Sequence, residues 1–136
     1  MKKVLILITA VTFMFACNKT SDDDPDPTPT ENYKVTYSFS AIGLDTLEYL
    51  KYLDAAGEEV TISSTNTFDL SFERPANNIH AKISIKGETG TMLTSFASYS
   101  LRVTDKDDNI ISYKTGEKEG PEISFFFDAE YKHVEN

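Results

Sequence analysis

The strongest constraint on the fold is the alternation of apolar and polar residues that begins at Tyr33. This period of two is typical of a strand with one face in a core and the other in water. Two shorter segments of the same kind lie at 60–63 and 110–113. Strands at a spacing of about ten residues predict an all-β, antiparallel, immunoglobulin-like β-sandwich of seven or eight strands over residues 33–134. The five longest alternating segments are 33–41, 68–72, 79–85, 99–103 and 123–129.

Residues suited to turns separate these segments. Residues 54–57 (DAAG) predict a hairpin turn in which Gly57 takes a positive φ, and residues 105–109 (DKDDN) predict a second turn. Pro75 predicts a boundary between two strands, because proline cannot donate to a ladder. The glycines in 87–90 and 116–121 predict two further breaks.

One segment, Leu44 to Leu53, permits two interpretations. Its leucines are spaced by three residues, and Asp45 with Glu48 fits a capping box, which together indicate a short helix. The β-favouring residues among them, and the turn that follows, indicate a strand instead. The strand is the preferred interpretation, and the helix stays as the alternative.

The first sixteen residues have the composition of a secretory signal peptide. Lys2 and Lys3 are followed by thirteen mostly apolar residues, 4–16. A helix needs about 20 apolar residues to cross a bilayer, so this segment is too short for a stable transmembrane helix. A basic start, a short apolar segment and a small final residue, Ala16, predict a signal peptide over residues 1–16.

The only cysteine, Cys17, directly follows that segment. Met14-Phe15-Ala16-Cys17 resembles the lipobox of bacterial lipoproteins. The resemblance implies that the Cys17 sulfur carries a diacylglycerol and that cleavage leaves Cys17 as the acylated first residue, whereas a buried or reactive thiol is the alternative. Several acyl chains, at about 0.8 kcal/mol per buried CH₂, anchor a protein stably to a membrane. Cleavage would leave 120 of the 136 residues and, with two lysines removed, change the formal charge from −9 to −11.

Residues 17–32 predict an extended acidic tether between the anchor and the sandwich. Pro25, Pro27 and Pro29 alternate with polar residues, and nothing apolar follows until Tyr33. Such a segment cannot bury a core and favours polyproline II structure. At roughly 3.1 Å per residue, the tether would span about 45 Å.

The tether contains a short motif of its own. Ser21-Asp22-Asp23-Asp24 resembles the acidic export signal of Bacteroidota lipoproteins. The resemblance implies transport to the outer face of the outer membrane. The alternative is that these residues only belong to an acidic, solvated tether.

The order of segments from Tyr33 to Tyr113 also follows a known pattern. It has an opening Tyr/Val strand (33–37), a hairpin from Tyr52 to Gly57, an Ile-x-Ile strand (81–87) and a strand with an acidic turn (99–105). This order resembles the MmpS-like family of small lipoprotein domains. The chain departs from that family in having no Trp and in a further strand predicted at 121–131. The resemblance implies a small β-sandwich of the bacterial envelope, and mycobacterial members of the family associate with lipid exporters.

Composition argues against several classes of site. A formal charge of −9 does not suit nucleic-acid binding, which needs a basic patch. A single cysteine excludes an internal disulfide and any metal site built from several thiolates. His80 and His133 have no nucleophile or acidic motif around them, and no glycine-rich phosphate loop precedes a helix. The sequence therefore predicts no catalytic residue and no cofactor.

Two weaker candidates remain. The turn at 105–109 offers oxygen ligands of the kind that calcium prefers, but hairpin turns use the same residue types, and a solvated turn is the preferred interpretation. Phe126 and either Tyr49 or Tyr52 are candidate exposed aromatics that can stack on a sugar or pack against a partner sheet. The candidate calcium ligands are Asp105, Asp107, Asp108 and Asn109.

These observations predict a non-enzymatic lipoprotein, anchored by its lipid to the outer membrane and facing the exterior. Its role would be to bind or assemble with a protein or glycan that the sequence does not identify. A carbohydrate-binding accessory of a glycan-uptake system and an MmpS-like accessory of an envelope transporter are the alternatives. Nucleic acid is not among the expected partners.

Overall fold

A computed structural model describes residues 31 to 133. The predicted signal peptide, Cys17, the export motif 21–24 and the tether as far as residue 30 lie outside the described residues. Within 31–133 no helix is long and apolar enough to cross a membrane. The strands are β1 (Asn32–Ile42), β2 (Leu44–Leu53), β3 (Glu59–Ile62), β4 (Thr67–Pro75), β5 (His80–Thr89), β6 (Ser95–Thr104), β7 (Ile110–Gly120) and β8 (Ser124–Lys132), with one 3₁₀ turn at Ala76–Asn78.

The strands form two four-stranded antiparallel sheets that pack face to face. The first sheet has the order β4-β1-β6-β7 and the second has the order β3-β2-β5-β8. The predicted all-β antiparallel sandwich of eight strands is therefore confirmed. Its connectivity differs from that of an immunoglobulin constant domain: the first two strands of that domain are neighbours in one sheet, whereas β1 and β2 lie in opposite sheets.

The core is built from the alternating positions that the sequence indicated. Side chains at every second position of the central strands β1 and β5 point between the sheets and are buried. Phe39 of β1 meets Phe125 of β8, with ring centroids 6.0 Å apart, so aromatic contact joins the two sheets. The fully buried side chains of the two central strands include Val35, Tyr37, Phe39, Ala81, Ile83 and Ile85.

Strand β2 confirms the strand interpretation of Leu44–Leu53 and explains its helix-like spacing. Its pairing with β5 shifts register twice, between Leu44 and Thr46 and between Leu47 and Tyr49. Each shift is a β-bulge that adds one residue to β2 without a partner on β5. An inward-facing position therefore recurs after three residues instead of two, which brings Leu44, Leu47 and Leu50 to the same side of the sheet.

The two breaks predicted from glycines are largely wrong. Strand β5 continues through Gly87 to Thr89, and β7 continues through Gly116 to Gly120. Both glycines are needed because a neighbour occupies the space of a side chain. A Cβ at Gly116 would lie 2.8 Å from Cε1 of Tyr99, the residue that faces it on β6. These glycines allow close packing within strands and do not end them.

The sandwich has two ends, which we call the proximal and distal poles. The proximal pole contains the start of β1 and the turns at 75–79, 54–57 and 105–109. The distal pole contains the connections after β1, β3, β5 and β7. Hydrogen bonds join the distal connections: Gly90 N–H donates to the Gly43 carbonyl at 2.9 Å and Met92 N–H to the Pro121 carbonyl at 3.1 Å. At about 3.3 Å per residue, β1 separates the poles by roughly 35 Å.

A buried hydroxyl of the first sheet forms hydrogen bonds with the second sheet near the proximal pole. Tyr37 of β1 is fully buried, and its hydroxyl donates to the Leu53 carbonyl of β2 at 2.9 Å. The same oxygen accepts from the Lys82 N–H of β5 at 3.2 Å. Burial raises the pKa of Tyr37 to about 12 from its ordinary value of 10.0. The neutral phenol thus satisfies one backbone group on each of two strands.

We expect Tyr37→Phe to lower the free energy of unfolding by about 1–3 kcal/mol at pH 7, because it leaves a buried carbonyl and a buried N–H unsatisfied. Above pH 10 the tyrosine of the unfolded wild-type chain ionises while the folded one stays neutral, so wild-type stability falls. A shift of two pKa units corresponds to about 2.7 kcal/mol at most. Urea titrations at pH 7 and pH 11 should show the difference between wild type and variant shrinking at the higher pH. A constant difference would contradict this assignment.

Candidate functional site

A cleft with a volume of about 590 Å³ lies at the distal pole. That volume lies in the usual range for small-ligand sites, about 300–1,000 Å³. The bulged start of β2 forms one wall and the connection from β3 to β4 forms the other. The end of β1 joins the walls, where Ala41 N–H donates to the Asn66 carbonyl at 2.8 Å. The cleft is lined by Ala41, Gly43, Leu44, Asp45, Thr46, Leu47, Ser63, Ser64, Thr65 and Asn66.

Polar, uncharged groups dominate the lining. Thr65 is committed to its own turn, because its hydroxyl donates to the Thr67 carbonyl and accepts from the Thr67 N–H at 3.3 Å. The side chains of Ser63, Ser64 and Asn66 are exposed, and none of them hydrogen-bonds to another residue of the described chain. These groups are therefore open to solvent or to a ligand.

The first β2 bulge places one acidic residue in the lining of the cleft. Asp45 is the extra residue of that bulge, and its exposed carboxylate accepts a hydrogen bond from the Thr46 hydroxyl at 3.3 Å. No lysine or arginine lines the cleft. The cleft consequently offers hydrogen-bond acceptors and donors, one negative charge and no positive charge.

Exposed apolar side chains also occur at the distal pole. Ile42, Met92 and Leu93 are 57%, 47% and 101% exposed, although most large apolar residues of this sandwich are buried. Met92 lies against Gly43, since a Cβ on Gly43 would stand 2.5 Å from the Met92 sulfur. Gly43 also has φ +75°, a conformation that other residues rarely adopt. The distal pole therefore combines a polar cleft with an apolar rim.

The turn at 105–109, predicted as a solvated hairpin turn with calcium binding as the alternative, is at the proximal pole, where it joins β6 to β7. Asp105 Oδ1 accepts from the N–H groups of Asp107 and Asn109, each at 2.9 Å, and Oδ2 accepts from the Asn109 side chain at 2.8 Å. The hydrogen bond from the Asn109 side chain is the main cause that holds the pKa of Asp105 below its usual value. No group of three or more acidic, histidine or cysteine side chains in 31–133 is arranged to hold a metal ion.

We expect Asp105→Ala to loosen this turn and lower the melting temperature at pH 7. A carboxyl whose pKa is lowered by folding stabilises the native state above its unfolded pKa, and this contribution is lost as the pH falls through the folded pKa. Thermal unfolding of wild type and variant should therefore differ most near neutral pH and converge in acid. Asp107→Asn, which leaves the turn's hydrogen bonds to Asp105 in place, serves as the control and should melt like the wild type.

The two histidines take part in structural contacts. His80 lies on the outer face of β5, where its Nε2 is 2.5 Å from a carboxylate oxygen of Glu130, and this hydrogen bond lowers the pKa of Glu130. His133 follows β8, and its ring stands edge-on to Tyr33 with centroids 6.5 Å apart. Neither histidine hydrogen-bonds to a serine, threonine or cysteine of the described chain.

The candidate aromatics have different surroundings. Phe126 is 58% exposed on the outer face of the second sheet, as expected. Tyr52 instead points inward and stacks with Phe68 at 5.0 Å, so it is not an exposed aromatic. Tyr49 is half-buried under Lys51, whose ammonium lies 5.6 Å from the ring centre. The same outer face carries the ion pairs Lys51–Glu59 and Lys86–Glu48 and the hydrogen bond between His80 and Glu130.

Sequence reasoning missed the distal cleft. Residues 63–66 (SSTN) were a visible signal, since they form a polar run between two strands, but no catalytic or metal-binding pattern marks them. No protein-family model and no curated protein matches this chain. Functional inference therefore starts from the arrangement of the two poles.

Proposed function

We propose that this protein is a non-enzymatic, lipid-anchored envelope lipoprotein, displayed on the outer face of the outer membrane, which binds a partner through its distal pole. The anchor would be Cys17, the spacer residues 18–32 and the binding module the sandwich. The lipobox-like and export-like motifs support the location. The position of the cleft, at the pole opposite the start of β1, supports the binding role.

One observation carries the proposal. Strand β1 begins at Asn32, directly after the predicted tether, at the pole opposite the cleft. A chain held by its amino-terminal end would therefore carry the tether at the proximal pole and leave the distal pole unobstructed by it. Two of the exposed apolar residues, Ile42 and Leu93, lie at that same pole, where a partner can cover them.

The absence of an enzymatic role is part of the proposal. The described histidines are held in contacts with Glu130 and Tyr33, and the acidic turn is held by its own hydrogen bonds. The distal cleft has a single carboxylate, Asp45, whereas glycoside hydrolysis needs a facing pair. A binding module needs none of these catalytic arrangements.

Protease treatment of intact cells tests the proposed location. Cleavage within the predicted tether should release the sandwich into the medium, where an antibody detects it, while a periplasmic protein in the same cells stays intact. Release only after the outer membrane is permeabilised would place the protein inside and overturn surface display. Proximity cross-linking from a photoreactive residue at Leu93, compared with one at Asn77 on the proximal pole, would then capture a partner at the distal pole only.

A further inference from the structure

We propose that the distal cleft is a binding site for a neutral, hydroxyl-rich ligand, which is the chemistry of a neutral carbohydrate. This inference rests on the proposed function, because it names the ligand class that the distal pole would take. It follows from the unpaired polar groups, the charge and the apolar rim of one cleft.

The hydrogen-bonding groups of the cleft suit a ligand with many hydroxyls. Ser63 and Ser64 each offer a hydroxyl that donates and accepts, and Asn66 offers both an amide N–H₂ and a carbonyl. These side chains make no hydrogen bond to the rest of the described chain. Asp45 belongs to the opposite wall, and its exposed carboxylate, which accepts one hydrogen bond from Thr46, has the capacity to accept two more from hydroxyls. A sugar ring presents donors and acceptors in several directions and can use both walls at once.

The charge of the cleft selects against anionic ligands. Phosphates, sulfates and acidic sugars need a cation or several oriented N–H groups, and no lysine or arginine lines the cleft. Asp45 adds a repulsive negative charge, and the chain as a whole carries −9. Charged hydrogen bonds are stronger than neutral ones, so Asp45 would contribute more to binding a hydroxyl than any serine does.

The apolar rim suits the other surface of a sugar. A pyranose ring has C–H faces beside its hydroxyls, and such a face can pack on aliphatic side chains. Ile42 and Met92 are half-exposed next to Gly43, which lines the cleft. Burying about 25 cal/mol per Å² of apolar surface there would add to the hydrogen bonds in the cleft.

A glycan array with the full-length protein tests this inference. The protein is purified in a detergent without a sugar head group, because a glycoside detergent would itself occupy the cleft. We expect binding to neutral oligosaccharides and none to sulfated, phosphorylated or sialylated ones. Competition by the free monosaccharide distinguishes a site for single sugars from a site that needs a longer chain. Binding to the acidic glycans alone, or to none of the glycans, would overturn the proposal.

Matched variants assign the binding to the cleft. Asp45→Asn and Asn66→Ala should each weaken neutral-glycan binding by about tenfold, as the loss of one or two hydrogen bonds implies. The controls Asp107→Asn and Asn77→Ala make the same changes at exposed positions of the proximal pole and should bind like the wild type. Circular dichroism verifies that all four variants are folded. If the cleft variants bind neutral glycans as tightly as the proximal controls do, the binding site lies elsewhere.

The outcomes also separate this inference from the proposed function. A protein that is released by surface protease and cross-links through Leu93, but binds no glycan, keeps its display role and loses the carbohydrate site. A protein that binds neutral glycans but stays protected from protease keeps the cleft and loses surface display.

Discussion

Gly87→Ala is expected to destabilise the sandwich by about 3 kcal/mol or more, at the upper end of what overpacking costs. Gly87 is a buried residue of β5, paired with Leu47 on one side and with Phe125 on the other. A Cβ there would lie 2.7 Å from the Thr46 carbonyl oxygen and 2.8 Å from Cζ of Phe125. Ordinary contacts between carbon atoms are about 3.5–4.0 Å, so both neighbours would have to move.

The cost is large because neither neighbour can move freely. The Thr46 oxygen belongs to the backbone between the two β2 bulges, and Phe125 is buried between Phe39 and Phe127. Shifting either would disturb the bulged edge of the distal cleft as well as the core. Since domains of this size are stable by only about 5–15 kcal/mol, one methyl group would remove a substantial part of the total.

Gly90→Ala is the matched control. Gly90 follows the same strand three residues later, and a Cβ there would have its nearest contact, 3.7 Å, with Cβ of Asp45. We therefore expect Gly90→Ala to unfold close to the wild-type urea midpoint, while the midpoint of Gly87→Ala falls sharply at an unchanged m-value. Equal midpoints for the two variants would show that Gly87 is not needed for close packing.

These glycines also show why strand boundaries were harder to predict than strands. Alternation identifies a strand because buried side chains recur at every second residue. Strands β1 and β5 follow this pattern along the core. A glycine in the sequence is compatible with a turn or with a close approach inside a strand. Only the position of Tyr99 over Gly116, and of Phe125 beside Gly87, decides between the two. Both aromatic residues are distant in the sequence from the glycine that they cover.

The distal cleft was hidden from the sequence for a similar reason. Its walls come from residues 43–47 and 63–66, which lie together because the β1–β2 and β3–β4 connections both cross between the sheets at the distal pole. Each segment alone resembles an ordinary polar connection. The bulges of β2 also changed the spacing of its leucines, which is why a helix stayed open as the alternative to the preferred strand. The proximal turn, by contrast, was predictable because Asp105 and the groups that it holds lie within five residues.

Cys17→Ala is expected to abolish membrane attachment completely, since a diacylglycerol can only be carried by the sulfur that this variant lacks. Metabolic labelling with an alkyne fatty acid, followed by immunoprecipitation, should give a strong signal for the wild type and none for the variant. Under the lipobox interpretation the wild-type protein should also sediment with membranes, because several acyl chains at about 0.8 kcal/mol per buried CH₂ would hold it there. Label on the variant would show that the lipid is attached elsewhere and that the lipobox interpretation is wrong.

Replacing Asp22, Asp23 and Asp24 together by Asn separates export from anchoring. This change keeps Cys17, so we expect full acyl labelling. The three replaced residues precede Asn32, where β1 begins, so we expect an unchanged sandwich. If the acidic residues are an export signal, protease added to intact cells should no longer release the sandwich from the variant. If they only solvate a tether, release should stay at the wild-type level, because asparagine keeps the segment polar. The first result would mean that the distal pole faces the medium because of three carboxylates, and the second would assign surface display to another part of the chain.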